Sequence, residues 1–227
     1  MTTVVLVRHG LTHLTGPVLA GWTPGLHLDD RGRKQAAAVA ERLREVPFDA
    51  LVSSPLDRCL DTIGAIAEGR STPVKVDDRI GECRYGDWTG RPLKELAKDP
   101  LWKVVQQHPS AAVFPGPEGE ALRDTQNRAV AAVREWNDRL GPDATWLGCS
   151  HGDVIKAIVA DALGMHLDQF QRILVDPCSV TVIRYTETRP FVARVNDTGG
   201  GVADLLPPKK RPRKRTSDAP VGGGAGA

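Results

Sequence analysis

The chain has 227 residues, 41% of them hydrophobic, a size that suits one domain with a sizeable core and room for an insertion. Its formal net charge of +2 is misleading: six basic residues and one acid from Pro207 onward give the end of the chain +5, and residues 1–206 carry −3. A mildly acidic body excludes a globular nucleic-acid-binding domain, and the lack of a long apolar run or a basic-then-apolar leader predicts a cytoplasmic protein with no membrane partner.

The first predicted element is a buried strand over Val4–Val7, which stops at Arg8-His9-Gly10. A loop from Leu11 to Asp30 follows. Asp29 or Asp30 caps a helix that runs to about Val46, with Ala36, Val39 and Leu43 on its apolar face. Phe48–Val52 is a second strand. Ser53-Ser54-Pro55 reads as a serine cap with proline at the first helical position, opening a helix that buries Leu56, Leu60, Ile63 and Ala67. Val74–Val76 is a third strand. Asp77–Gly90, polar and punctuated by glycine, reads as a loop.

Short helical pieces are expected at Leu93–Lys98 and Leu101–Gln107, and Ala111–Gly119 as a lid or insertion over one end of the sheet. A long helix from about Gly119 to Leu140 precedes a strand at Ala144–Cys149, closed by Ser150-His151-Gly152. A helix over Asp153–Leu163, a short one at Leu167–Ile173, and a hairpin of Ser179–Tyr185 with Pro190–Asn196 complete the pattern. Alternating strands and helices predict an α/β three-layer sandwich, a mostly parallel central sheet with helices on both faces. That domain covers residues 1–204. Residues 205–227 read as a disordered basic tail with weak, salt-sensitive affinity for nucleic acid at most. If Ser179–Tyr185 lies at the sheet edge, it offers a surface for a homodimer.

Ligands of open α/β sheets bind beyond the carboxyl ends of the strands. Three strand ends bring Arg8 and His9, Arg58, and Ser150 with His151 to that rim. Two arginines and two histidines there suit a phosphate dianion, because the guanidinium fork matches phosphate oxygens. His9 reads as a nucleophile for phosphoryl groups and Arg8 as its phosphate holder. Arg58 could instead pair with Asp57 or Asp61 on its own helix. His13, His27, His108 and His166 read as surface residues. The cysteines (Cys59, Cys83, Cys149, Cys178) form no CxxC pair and read as reduced, small hydrophobic residues.

Val7-Arg8-His9-Gly10-Leu11-Thr12, Ser53-Ser54-Pro55-Leu56-Asp57-Arg58-Cys59, Glu82–Gly90 and Cys149-Ser150-His151-Gly152 together resemble the motif set of the histidine phosphatase superfamily, which includes the cofactor-dependent phosphoglycerate mutases. The resemblance implies that His9 becomes phosphorylated, that Arg8, Arg58 and His151 complete the phosphate pocket, and that Glu82 is the proton donor. Thr12 matches a hydroxyl residue in the loop after the nucleophile. It also implies a two-step reaction with no metal and no cofactor. Thr15 stands where many members carry an asparagine near the phosphate, so that contact is expected to be shortened or lost.

The segment between Gly90 and Glu120 lacks the arginine-rich insertion typical of true mutases and offers only Arg91. The expectation is therefore hydrolysis of a small phosphomonoester metabolite through a phosphohistidine. The alternatives are a phosphoglycerate-mutase-type phosphotransferase and, from another class, a non-catalytic phospho-ligand or nucleic-acid-binding protein.

Overall fold

In β1 (Thr2–Arg8), the successive apolar residues Val4, Val5, Leu6 and Val7 are all buried, the mark of a central strand covered on both faces. The structure, a computed structural model, describes residues 1–200 together with Gly222 and Gly224. Within them β1 is joined by β2 (Ala50–Ser53), β3 (Val74–Val76), β4 (Thr145–Ser150), β5 (Val180–Tyr185) and β6 (Pro190–Asp197). The strands form one sheet in the order β3-β2-β4-β1-β5-β6. The first four run parallel, β5 runs antiparallel to β1, and β6 runs antiparallel to β5.

Strand alternation sends β1 side chains into two cores. Val4 and Leu6 join Trp146 and Ile183 under α5 (Leu122–Leu140) and α6 (Gly152–Ala162). Val5 and Val7 join Leu51 and Leu147 under α1 (Asp30–Leu43) and α2 (Asp57–Ala67). This is the expected three-layer α/β sandwich. Asp29 caps α1 as expected, its Oδ1 accepting from the Gly32 N–H at 2.8 Å.

Several expectations need correction. Neither Ser53 nor Ser54 caps α2: the helix starts at Asp57 with Leu56 as its cap residue, so Pro55 lies outside it. The Ser54 hydroxyl is used instead at the site described below. Ala111–Gly119 is not a lid. Its Ala112 and Phe114 are buried in the larger core, with Phe114 packed edge-on against Tyr85 and Trp88, and they pin down a segment whose other residues are exposed or half-buried. The residues before it form the short helices α3 (Leu93–Leu96) and α4 (Pro100–Gln107). Finally, β5 is not at the sheet edge, because β6 covers it; the edges are β3 and β6. A homodimer through β5 therefore has no strand to pair with. The proposed tail, residues 205–227, lies outside the described residues except for Gly222 and Gly224. No helix of the described residues is long and apolar enough to cross a membrane.

Candidate active site

Sheet register builds the site. Arg8 at the end of β1 lies opposite Ser150 at the end of β4, and Ser53 at the end of β2 lies opposite Cys149. The next residue along each strand therefore sits on one rim. His9 N–H donates to the Ser150 carbonyl at 3.0 Å, and the rings of His9 and His151 lie 5.2 Å apart. His151 is the cap residue of α6, and Arg58 stands in the first turn of α2. Both helix starts direct partial positive charge toward the pocket. The sharp turn after His9 needs glycines: a Cβ on Gly10 would meet the Gly32 carbonyl oxygen at 2.8 Å, and one on Gly32 would meet that of Leu11 at 2.0 Å.

Hydrogen bonds fix the state of each histidine. His9 Nδ1 lies 2.8 Å from the Gly10 carbonyl oxygen, which can only accept, so Nδ1 carries the proton. Nε2 then holds a lone pair, and it receives the Arg58 Nε–H at 3.2 Å. Burial and the neighbouring Arg58 and Arg8 charges push the His9 pKa well below its usual value, which keeps Nε2 unprotonated. His151 has the opposite tautomer. Arg58 Nη2 donates to its Nδ1 at 3.2 Å, and its Nε2–H donates to Ser54 Oγ at 2.7 Å. Burial, then Arg58, keeps His151 neutral as well.

Arg58 does not pair with acids on its own helix. Its Nη2 also donates to the Gly21 carbonyl at 2.8 Å, while Nη1 is buried with no hydrogen-bond partner among the described residues. Asp57 and Asp61 are engaged elsewhere, by the Gly25 N–H and by His27 with the Leu28 N–H. Arg8 is 1% exposed and donates to the Val175 carbonyl at 2.8 Å. Thr12 is buried; its hydroxyl meets that of Thr15 at 2.9 Å, and its N–H donates to the same Thr15 oxygen. Thr15 lines the pocket with Arg8, His9, Thr12, Arg58 and Glu82.

Glu82 is 3% exposed, with Oε1 accepting the Cys83 N–H at 3.0 Å and Oε2 lying 3.7 Å from His151 Nδ1. Burial, reinforced by the nearby Asp153 charge and opposed by Arg58 and Arg8, pushes its pKa up to about 7. Near neutrality both its acid and its base forms are populated.

Five of the six residues expected at the site, Arg8, His9, Thr12, Arg58 and Glu82, line one pocket, and His151 is fully buried against His9 and Arg58 without lining it. Apart from Ser54, whose Ser-Ser-Pro context reads as a helix cap, their supporting residues carry no signal in the sequence. Ser54 orients His151, and Thr62 Oγ1 accepts the Gly10 N–H at 3.1 Å. Arg128 on α5 donates to the carbonyls of Arg79, Gly81 and Glu82 and pairs with Glu120; Trp22 donates to the same Glu82 carbonyl at 2.7 Å. Tyr85 donates to the buried Asp153 at 3.0 Å, and Lys156 pairs with Asp153 beneath it. Of the thiols, Cys59 lies nearest the chemistry, 3.5 Å from His151 Nε2. His13, His27, His108 and His166 stand outside the pocket. Among the described residues no group of three or more His, Cys, Asp or Glu could hold a metal ion.

Comparisons with known proteins agree with this geometry. The histidine phosphatase superfamily (branch 1) matches residues 4–198. Phosphoserine phosphatase 1 of Hydrogenobacter thermophilus is 31% identical over 209 residues, covering 87% of this chain and 93% of that protein. A 2,3-bisphosphoglycerate-dependent phosphoglycerate mutase 2 of Gloeobacter violaceus is 29% identical over 187 residues, with 78% and 83% covered. Among solved structures, YhfR of Bacillus stearothermophilus superposes with a TM-score of 0.78 at 30% identity, covering 87% of this chain and 98% of its own. The chain belongs to the histidine phosphatase superfamily, branch 1.

Proposed function

We propose that the chain hydrolyses a small phosphorylated metabolite, a phosphomonoester, through a phosphohistidine at His9. The observation that carries this reading is the neutral His9 with its Nε2 lone pair turned into a pocket floored by Arg58 and Arg8. Phosphate oxygens would take the Arg58 Nη1 donors, which have no other partner among the described residues.

In the first step His9 Nε2 attacks phosphorus, the ester P–O bond breaks, and protonated Glu82 gives its proton to the leaving oxygen. In the second step Glu82, now a carboxylate, takes a proton from water as the water oxygen attacks phosphorus. The P–N bond breaks and inorganic phosphate leaves. Arg8 and Arg58 stabilise charge on the phosphoryl oxygens in both transition states, and His151, accepting from Arg58 Nη2 at its Nδ1, helps to hold that guanidinium in place. A carboxyl with a pKa of about 7 suits both halves of this cycle.

Kinship with a phosphoglycerate mutase keeps phosphoryl transfer as a second reading. Hydrolysis is favoured by the segment between Gly90 and Glu120. Its single arginine, Arg91, is half-exposed and faces Glu95 at 3.8 Å. That segment offers no second guanidinium to grip another anionic group.

The test is hydrolysis of p-nitrophenyl phosphate in excess chelator. Wild type should turn over and His9→Ala should not. Activity that survives His9→Ala, or that chelation removes, would overturn the mechanism. Phosphate exchange between phosphoglycerate isomers, faster than release of inorganic phosphate, would favour transfer.

A further inference from the structure

The mouth of this pocket holds a piece of the chain itself. The Gly222 N–H donates to Asp153 Oδ2 at 2.8 Å, and the Gly224 carbonyl accepts from Arg8 Nη1 at 2.6 Å. Both partners are buried charged side chains, each 1% exposed. Gly222 also lines the pocket with His9, Arg58 and Glu82, and the cavity left beside it measures about 30 Å³. That is room for a water molecule and not for a phosphomonoester.

The contacts are specific in direction. The Gly222 N–H meets a carboxylate and the Gly224 carbonyl meets a guanidinium, so each backbone group faces the charge that suits it. Asp153 is held for this by the Tyr85 hydroxyl and by Lys156, at 3.0 and 3.3 Å. The sequence at this point, Val221-Gly222-Gly223-Gly224-Ala225, is the glycine run that the fold did not otherwise use. Glycine is required there. Gly222 has a φ of +75°, and a Cβ on it would lie 2.8 Å from Leu19 Cδ1.

Reach is not a constraint. The 21 residues between Gly200 and Gly222 can span about 70 Å at ~3.4 Å each, against a radius of gyration of about 17 Å for a domain of this size.

From these contacts we infer that Arg8 and Asp153 form a backbone-binding subsite in the catalytic mouth, whose occupant is the chain's own glycine-rich C-terminal segment, competing with substrate for Arg8. The inference rests on the reading of this pocket as the phosphate site. Gly224 occupies an Arg8 Nη1 donor and the space left beside the segment admits no more than a water, so the segment must leave before substrate is seated. A tether of this length gives a millimolar effective concentration. A segment of millimolar to hundred-micromolar intrinsic affinity then raises the apparent KM by about two- to tenfold.

The test compares three full-fold proteins: wild type, the full-length variant Gly222→Val, and a variant lacking residues 220–227. Every strand and helix described ends by Asp197, so both changes leave the sheet and its helices in place, and Gly222→Val crowds only the end of the Leu19 side chain. With p-nitrophenyl phosphate, both variants should show a KM about two- to tenfold lower at unchanged kcat. A synthetic peptide of residues 218–227 should inhibit the shortened protein competitively. An unchanged KM in both variants would overturn the inference, as would a fall in kcat, which would make the segment part of the working site.

Calorimetric binding of inorganic phosphate separates this from a failure of the phosphatase reading, because it needs no turnover. Tighter binding by the shortened protein supports the internal competitor, and equal binding overturns it whether or not the chain hydrolyses the aryl phosphate.

Discussion

Glu82 carries the sharpest consequences at the scale of single residues. In the folded chain its carboxyl holds a proton up to a pH of about 7, and once unfolded only to its ordinary value of 4.5. Between those values the native state binds more protons than the unfolded one, so this group makes stability fall as pH rises. The full effect above pH 7 corresponds to about 3 kcal/mol. Glu82→Gln has no charge to bury. In denaturant titrations it should be more stable than wild type at pH 8, by about 1–3 kcal/mol, and equal to it at pH 4.

The same substitution removes the proton donor, so hydrolysis of an alkyl phosphate should fall roughly 10²–10⁴-fold. The loss should be smaller for p-nitrophenyl phosphate, whose leaving oxygen needs little protonation. Equal losses on the two substrates would contradict the role of Glu82 as acid.

Ser54 offers a second test at this scale. Its hydroxyl accepts the buried His151 Nε2–H. Ser54→Ala leaves that donor only the weak acceptor Cys59 Sγ at 3.5 Å, at a cost of about 1–3 kcal/mol in stability, and loosens the ring. Activity should fall with it, and Ser54→Thr, which keeps the hydroxyl, should restore most of both. A Ser54→Ala protein with wild-type kcat and stability would show that the contact does not orient His151.

Among elements, the loop that bears Glu82 depends on a helix distant in sequence. Arg128 on α5 holds three of that loop's carbonyls, and Glu120 holds Arg128. Arg128→Met should lower kcat more than it changes KM, with a larger loss for alkyl than for aryl phosphate, because the acid rather than the phosphate pocket is displaced. A uniform loss on both substrates would mean that Arg128 only stabilises the fold.

None of this was legible in the sequence. His9, Arg58, Glu82 and His151 announce themselves because each follows a strand or stands in a recognisable local motif. Arg128, Trp22 and Thr62 act across 46, 60 and 52 positions of the chain, on backbone groups that have no residue signature. Ser54 was visible but misread. A serine followed by proline fits a helix cap, yet the register of β2 against β4 carries its hydroxyl to His151 before the helix begins.

For the whole molecule, the alternation of strands and helices was enough to give the sandwich, because β1 and β4 are apolar on both faces and must lie inside it. The position of β5 was less readable. Its own alternation shows which side chains are buried and not which strand covers its far edge; β6 does so with Phe191 and Val195 left exposed. Amide hydrogen exchange should follow this layout. β1 and β4 lie inside the sheet under two helical layers and should be the slowest to exchange. The edge strands β3 and β6 should be the fastest. Slower exchange in β6 than in β1 would signal that a partner covers the edge.

Formation of phosphohistidine at His9 is the claim on which the rest depends. It is tested by mixing the enzyme with p-nitrophenyl phosphate, quenching in alkali within one turnover, and mapping the phosphoryl group by mass spectrometry of the digest. Wild type should carry it on the peptide containing His9. Glu82→Gln should accumulate more of it, because no base activates the attacking water, and His9→Ala should carry none. Turnover with no phosphoryl group on His9, or with one on another residue, would contradict the mechanism.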